Sequence, residues 1–123
     1  MTGVGTILVV EDDELVRELS VEMLTSLGYG VLVAQDGREA LEVIKRSEPI
    51  DLLFSDVVMP GGFSGTALAR QARQMRPGLA VLQTTGYAGA QTVADDEFAV
   101  IAKPFRLAEL SRALAEAVGR NTG

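Results

Sequence analysis

The chain has 123 residues, with 17 Asp and Glu against 11 Lys and Arg, a net charge of −6, and no His, Cys or Trp. That length suits one domain of about 100–200 residues, and 47% hydrophobic content argues for a packed core over disorder. The absent residue types exclude disulfides, thiolate nucleophiles, Cys- or His-based metal sites and Ser–His catalysis, and the acidic balance argues against direct DNA binding.

From the amino end, Ile7-Leu8-Val9-Val10 reads as a first strand and is followed by Glu11, Asp12 and Asp13. Leu15, Leu19, Met23 and Leu27 then recur at four-residue spacing and predict a helix with that stripe inward, closed by Gly28. Asp13 is the natural capping acid for its first turn. Val31-Leu32-Val33 is the second strand, and Asp36 is placed to N-cap a second helix with Ala40, Leu41 and Ile44 inward and Pro49 beyond its end. Leu52-Leu53-Phe54 is the third strand, running to Asp56. Ser64 can cap a third helix with Ala67, Leu68, Ala72 and Met75 on one side and Pro77-Gly78 closing it. Leu79-Ala80-Val81-Leu82 is the fourth strand, ending in Thr84-Thr85-Gly86. A weakly patterned fourth helix is expected over 88–98. Val100-Ile101-Ala102 is the fifth strand, ending in Lys103-Pro104-Phe105, and Leu107, Leu110, Leu114, Ala117 and Val118 mark the inner face of a last helix.

Short continuous apolar runs suit strands buried on both faces of a parallel sheet. A strand–helix pair repeated five times, (βα)5 with a weak fourth helix, predicts an α/β fold: an open, doubly wound parallel sheet with right-handed crossovers. Neither linker nor repeat divides the chain, so the expected domain is 1–123 with a core over about 5–120. No basic, apolar leader stands at residues 1–5, and the uncharged stretch 77–94 is broken by Pro, Gly, Thr and Gln. The expectation is a cytoplasmic protein with no membrane insertion.

In such sheets ligands bind beyond the carboxyl ends of the strands. Those ends carry Glu11, Asp12, Asp13, Asp56, Thr85 and Lys103. Crowded carboxylates repel one another, and a hard divalent cation, Mg²⁺ or Mn²⁺, would relieve the conflict through oxygen ligands. Together with Lys103 and Thr85 it would surround a free Asp56 oxygen with positive and donor groups, a set suited to phosphoryl transfer onto a carboxylate. The residues thus point to a Mg²⁺-dependent aspartyl-phosphate site.

Four segments carry a resemblance: Ile7-Leu8-Val9-Val10-Glu11-Asp12-Asp13-Glu14; Leu52 through Asp56 to Gly62, with Val57-Val58-Met59-Pro60-Gly61 between; Thr84-Thr85-Gly86-Tyr87-Ala88; and Lys103-Pro104-Phe105. In this order the chain resembles the receiver domains of two-component response regulators, over essentially its whole length. The resemblance implies a flavodoxin-like fold with strand order 2-1-3-4-5. It implies that Asp56 accepts a phosphoryl group from a phosphohistidine of a sensor histidine kinase or histidine phosphotransfer domain, switching affinity for a downstream protein target, so that the chain is a phosphoacceptor and not a turnover enzyme. Asp12, Glu11, Asp56 and the Val58 backbone carbonyl would bind Mg²⁺. Thr85 and Lys103 would hold phosphoryl oxygens, Gly86 would keep the entrance open, and Val58 and Tyr87 would tune access of water. Lys103-Pro104 resembles the family's cis peptide. The position three before the lysine, Tyr or Phe in many receivers, is Val100, which argues against readout by an aromatic flip. Residues 59–65 and 85–88 look most like receivers of hybrid sensor histidine kinases.

Other functions would leave other marks. A small aspartate-nucleophile phosphohydrolase would place its nucleophile at Glu11, and a flavodoxin-like cofactor domain would need a Ser/Thr/Gly-rich loop where Glu11-Asp12-Asp13 stands. A receiver-like docking module without phosphorylation would not need the full set of site residues. Phe98 and Phe105 read as core or rim packing, and Gly61-Gly62 as loop freedom.

Overall fold

The computed structural model describes residues 5–46, 49–58, 64–85 and 98–122. In order come β1 (Thr6–Val10), α1 (Glu14–Ser26), β2 (Gly30–Ala34), α2 (Gly37–Lys45), β3 (Leu52–Asp56), α3 (Gly65–Met75), β4 (Ala80–Thr85), β5 (Ala99–Ala102) and α4 (Leu107–Thr122). The strands pair in parallel in the order β2-β1-β3-β4-β5, as expected. The weak helix anticipated over 88–98 lies almost wholly outside the described residues.

The helix starts follow the local chemistry. The carboxylates of Asp13 and Asp36 and the hydroxyl of Ser64 accept from the N–H groups of Val16 (3.0 Å), Glu39 (2.8 Å) and Ala67 (3.1 Å). Each satisfies a donor that the first helical turn leaves without a partner. α1 stops at Gly28, whose φ of +98° suits a residue without Cβ.

Side-chain alternation along the strands sorts the core into two layers. Leu8, Val10, Leu53 and Val81 face α2 and α3, where Ala40, Val43, Ile44, Leu68, Ala69 and Ala72 pack on them. Ile7, Val9, Leu52, Phe54 and Leu82 face α1 and α4, meeting Leu24, Leu110, Leu114 and Ala117. Each fully buried Leu or Ile contributes about 1.5–3 kcal/mol of transfer free energy, so both layers anchor the sheet. Phe98 lies in the α2/α3 layer with the Arg73 guanidinium 5.1 Å over its ring, and Phe105 meets Phe54 edge to face at 6.2 Å.

Several expectations need correction. Leu15 and Leu19 are 67% and 52% exposed, and the buried positions of α1 are Ser20 and Leu24. A strict four-residue spacing drifts about 40° per step around a helix of 3.6 residues per turn, so the stripe from Leu15 to Leu27 rotates by about 120° and only its later part, Met23 and Leu27, reaches the core. On α3 Met75 is exposed and Ala69 takes the inner place. On α4 the ends of the stripe, Leu107 and Val118, are also exposed. β2 and β5 are sheet edges, so Val33 and Val100 meet solvent and the two-sided burial expected of all five runs holds for the three central ones.

Candidate functional site: a carboxylate cluster at the strand ends

β1, β3, β4 and β5 end side by side, and their alternation decides what meets there. Val9, Phe54, Leu82 and Ala99 all face the α1/α4 layer. Two residues further on each strand, the same face carries Glu11, Asp56 and Thr84, and four residues past Ala99 it carries Lys103. Backbone bonds hold this edge: Glu11 N–H to Ala34 O (3.1 Å), Val57 N–H to Thr84 O (2.9 Å) and Lys103 N–H to Thr85 O (2.7 Å). The Lys103-Pro104 peptide is cis.

The Lys103 Nζ lies 2.8 Å from Asp56 Oδ1 and 3.6 Å from Glu11 Oε1. The Thr84 hydroxyl donates to the same Asp56 Oδ1. Glu11 is buried, its Oε2 accepts from Asp13 N–H at 3.1 Å, and its carbonyl accepts from Arg17 Nη1 at 2.8 Å. Burial first, and then the hydrogen bond and charge of Asp56, push the Glu11 carboxyl up to about 7, against the opposing pull of the Asp13 N–H and Lys103. Burial alone would push the Lys103 ammonium down, but its hydrogen bond to Asp56 and the charges of Asp56 and Glu11 carry it above the ordinary lysine value.

Glu11, Asp12 and Asp56 each offer a carboxylate oxygen within 4.8 Å of the others, with Asp12 exposed at the rim. The upward shift of Glu11 comes first from its burial, and the hydrogen bond and charge of Asp56 add to it. Three hard oxygens at this spacing fit a Mg²⁺ ion by chemistry and by charge. A cleft of about 460 Å³ opens from the cluster between α1 and the segment after β5, with Val9, Val16, Leu19, Met23, Phe54 and Phe105 forming its apolar part.

Of the residues singled out from sequence, Glu11, Asp12, Asp56 and Lys103 come together. Thr85 stands at the end of β4, tied to Lys103 through its carbonyl. Val58 is described with its side chain 77% exposed, and Val100 is exposed on edge strand β5. Gly86, Tyr87, Met59, Pro60 and the Gly61-Gly62 pair lie outside the described residues.

Sequence reasoning passed over two residues. Thr84 was hidden by its neighbour Thr85, although strand alternation from Leu82 marks it as the threonine on the Asp56 face. Gly65 packs against the backbone of the site: its N–H donates to Val57 O at 2.7 Å, and a Cβ there would lie 1.7 Å from the Asp56 carbonyl oxygen. The signal was a glycine just inside a helix start, a costly choice unless close approach demands it.

Comparison with known proteins agrees with this geometry. The family model for the response regulator receiver domain matches residues 7–115. The sensor kinase CckA of Brucella abortus is 36% identical over 121 residues, covering 94% of this chain and 13% of that protein. The response regulator receiver protein CpdR of the same organism is 36% identical over 108 residues, covering 85% of this chain and 88% of that protein. The crystal structure of the Thermotoga maritima response regulator TrrA, in complex with Mg²⁺-BeF, superposes with a TM-score of 0.80 at 29% identity, over 93% of this chain and 99% of that one. The chain belongs to the response regulator receiver domain family, the phosphoacceptor domains of two-component systems. The relatives it matches are response regulators and the sensor kinase CckA, of whose length it spans 13%, and among the described residues no helix is long and apolar enough to cross a membrane.

Proposed function

We propose that Asp56 is the phosphoacceptor and that Glu11, Asp12, Asp56 and the Val58 carbonyl hold Mg²⁺, or Mn²⁺ in its place. The observation that carries this reading is the position of the Asp56 carboxylate: at the carboxyl edge of the central strand, paired with Lys103 at 2.8 Å, with an oxygen within 4.8 Å of carboxylate oxygens of Glu11 and Asp12. The Mg²⁺-BeF complex of TrrA supports the same ligand class here. A bound divalent cation would supply positive charge against the carboxylates and the incoming phosphoryl oxygens. Lys103 holds one phosphoryl oxygen and orients Asp56, and the Thr85 hydroxyl receives another. Gly86 leaves the approach open, and Val58 and Tyr87 control the access of water to the acyl phosphate. Val100, exposed on β5, stands where many receivers have Tyr or Phe, which argues against readout by a turning aromatic ring.

The donor on this reading is a phosphohistidine of a sensor histidine kinase or a histidine phosphotransfer domain; these 123 residues hold no His, so the phosphoryl group arrives from another domain or from a small donor. The exposed Leu15 and Leu19 beside the site, with Glu14, Glu18 and Glu22 around them, support docking of an amphipathic partner with basic flanks. The receiver domain spans 1–123 with a core over about 5–120. It works in the cytoplasm, without DNA contact, and assists its own phosphorylation and dephosphorylation without turning over a separate substrate.

The test is to incubate the protein with Mg²⁺ and acetyl phosphate and to measure intact mass. A single phosphoryl adduct that is missing from Asp56→Asn is the expected result. An adduct that persists in Asp56→Asn, or its absence with every divalent cation tried, would overturn the assignment.

A further inference from the structure

Asp56 and Thr84 are direct partners in the β3–β4 register, and both side chains point to the α1/α4 layer. Thr84 is buried, 4% exposed, and its hydroxyl donates to Asp56 Oδ1. The Lys103 ammonium reaches that same oxygen at 2.8 Å. Two donors on different strands therefore converge on Oδ1, and neither is directed at Oδ2. A carboxylate held by a single donor can still turn about its last torsion, which is broad and nearly two-fold. A second donor on the same oxygen, fixed in the strand next door, removes that freedom.

We propose that Thr84 is a positioning residue that fixes the Asp56 carboxylate with Oδ2 as the attacking oxygen. The proposal rests on Asp56 being the phosphoacceptor. In the step it serves, a lone pair of Oδ2 forms the O–P bond while the bond from phosphorus to the donor's leaving group breaks, and that electron pair departs with the leaving group. Oδ1 becomes the carbonyl oxygen of the acyl phosphate and keeps the hydrogen bonds from Thr84 and Lys103. No proton passes through Thr84. Its contribution is orientation, and small misplacements of a reacting atom are costly in rate.

The experiment compares Thr84→Val and Thr84→Ser with the unchanged protein, measuring the rate of adduct formation from acetyl phosphate with Mg²⁺ and the melting temperature. Val keeps the volume and removes the donor, whereas Ser keeps the donor. The expected result is a rate about tenfold lower in Thr84→Val, recovery to within about twofold in Thr84→Ser, and a melting temperature for Thr84→Val within a few degrees of the unchanged protein. Should Thr84→Val fail to fold, Thr84→Ala removes the hydroxyl without filling space, and the same comparison with Ser decides. An undiminished rate in the folded variant lacking the hydroxyl would overturn the proposal, as would a Ser variant as slow as that one. Absence of an adduct in the unchanged protein would overturn the assignment of Asp56 itself, so the two failures are distinguishable.

Discussion

Asp51 stands just before β3 and Asp56 closes it, so one strand carries an acid to each edge of the sheet. At the amino edge, the exposed Asp51 uses its carboxylate on the backbone: Oδ2 accepts from Thr6 N–H at 2.8 Å, while its own N–H donates to Thr6 O at 2.8 Å. It ties β1 to β3 where the chain enters the sheet. At the carboxyl edge, the half-buried Asp56 has side-chain partners instead, Thr84 and Lys103, and two further carboxylates beside it. The same residue type is a backbone clip just before the strand and a member of a carboxylate cluster at its end. Neighbouring charge and burial make the difference, and both come from the other strands.

Exchanging the acids for neutral isosteres tests the contrast most severely. Asp56→Asn should abolish the phosphoryl adduct in intact mass, whereas Asp51→Asn should leave adduct formation unchanged. The backbone under the carboxyl edge is the next point of attack. Gly65→Ala forces a Cβ to 1.7 Å from the Asp56 carbonyl oxygen, and with backbone on both sides the clash should cost about 3 kcal/mol. That should appear as a melting temperature lower by about 10 °C. No comparable loss is expected from Gly78→Ala, where a Cβ meets nothing within 4 Å.

A smaller effect follows from the burial of Glu11 beside Asp56. Glu11 keeps its proton up to about 7 in the fold, against 4.5 as its ordinary value. Between these values the folded state binds more protons than the unfolded chain, so without metal Glu11 makes stability fall as pH rises from about 4.5 to about 7. The loss should be no more than about 3 kcal/mol. Denaturant titrations across that range in chelator should show the fall in the unchanged protein relative to Glu11→Gln, and Mg²⁺ should flatten it. Equal slopes in both proteins would mean that the fold does not raise the Glu11 carboxyl. The smallest effect belongs to the amino edge: Asp51→Ala removes one exposed bond to a backbone N–H and should cost about 1 kcal/mol, with the rate of adduct formation unaltered.

Much of this contrast was legible before folding. The strand runs, the caps at Asp13, Asp36 and Ser64 and the stop at Gly28 are local chemistry, and each stands where the sequence places it. Glu11, Asp12, Asp56 and Lys103 were identifiable because each stands within two residues of the end of an apolar run, and the ends of parallel strands share one edge. The inner face of α1 was misread because Leu15 and Leu19 look like core residues when only spacing is considered. Their exposure depends on where α1 lies over the sheet and on the cleft left between α1 and the segment after β5. Burial of Ser20 in their place has no sequence signal of its own.

The sequence by itself determined the order of elements, the parallel sheet, and the acids and lysine that gather at its carboxyl edge. It could do so because hydrophobic period, capping and strand ends are properties of neighbouring residues. Only the tertiary structure decided which threonine touches Asp56, which carboxylate oxygen Lys103 and Thr84 share, how far Glu11 is pushed toward neutrality and why residue 65 must lack a side chain. Those outcomes depend on register between strands distant in sequence and on the layer that covers each face. A shift of one residue in register would put a different residue of β4 opposite Asp56, and the local pattern of the chain would look the same.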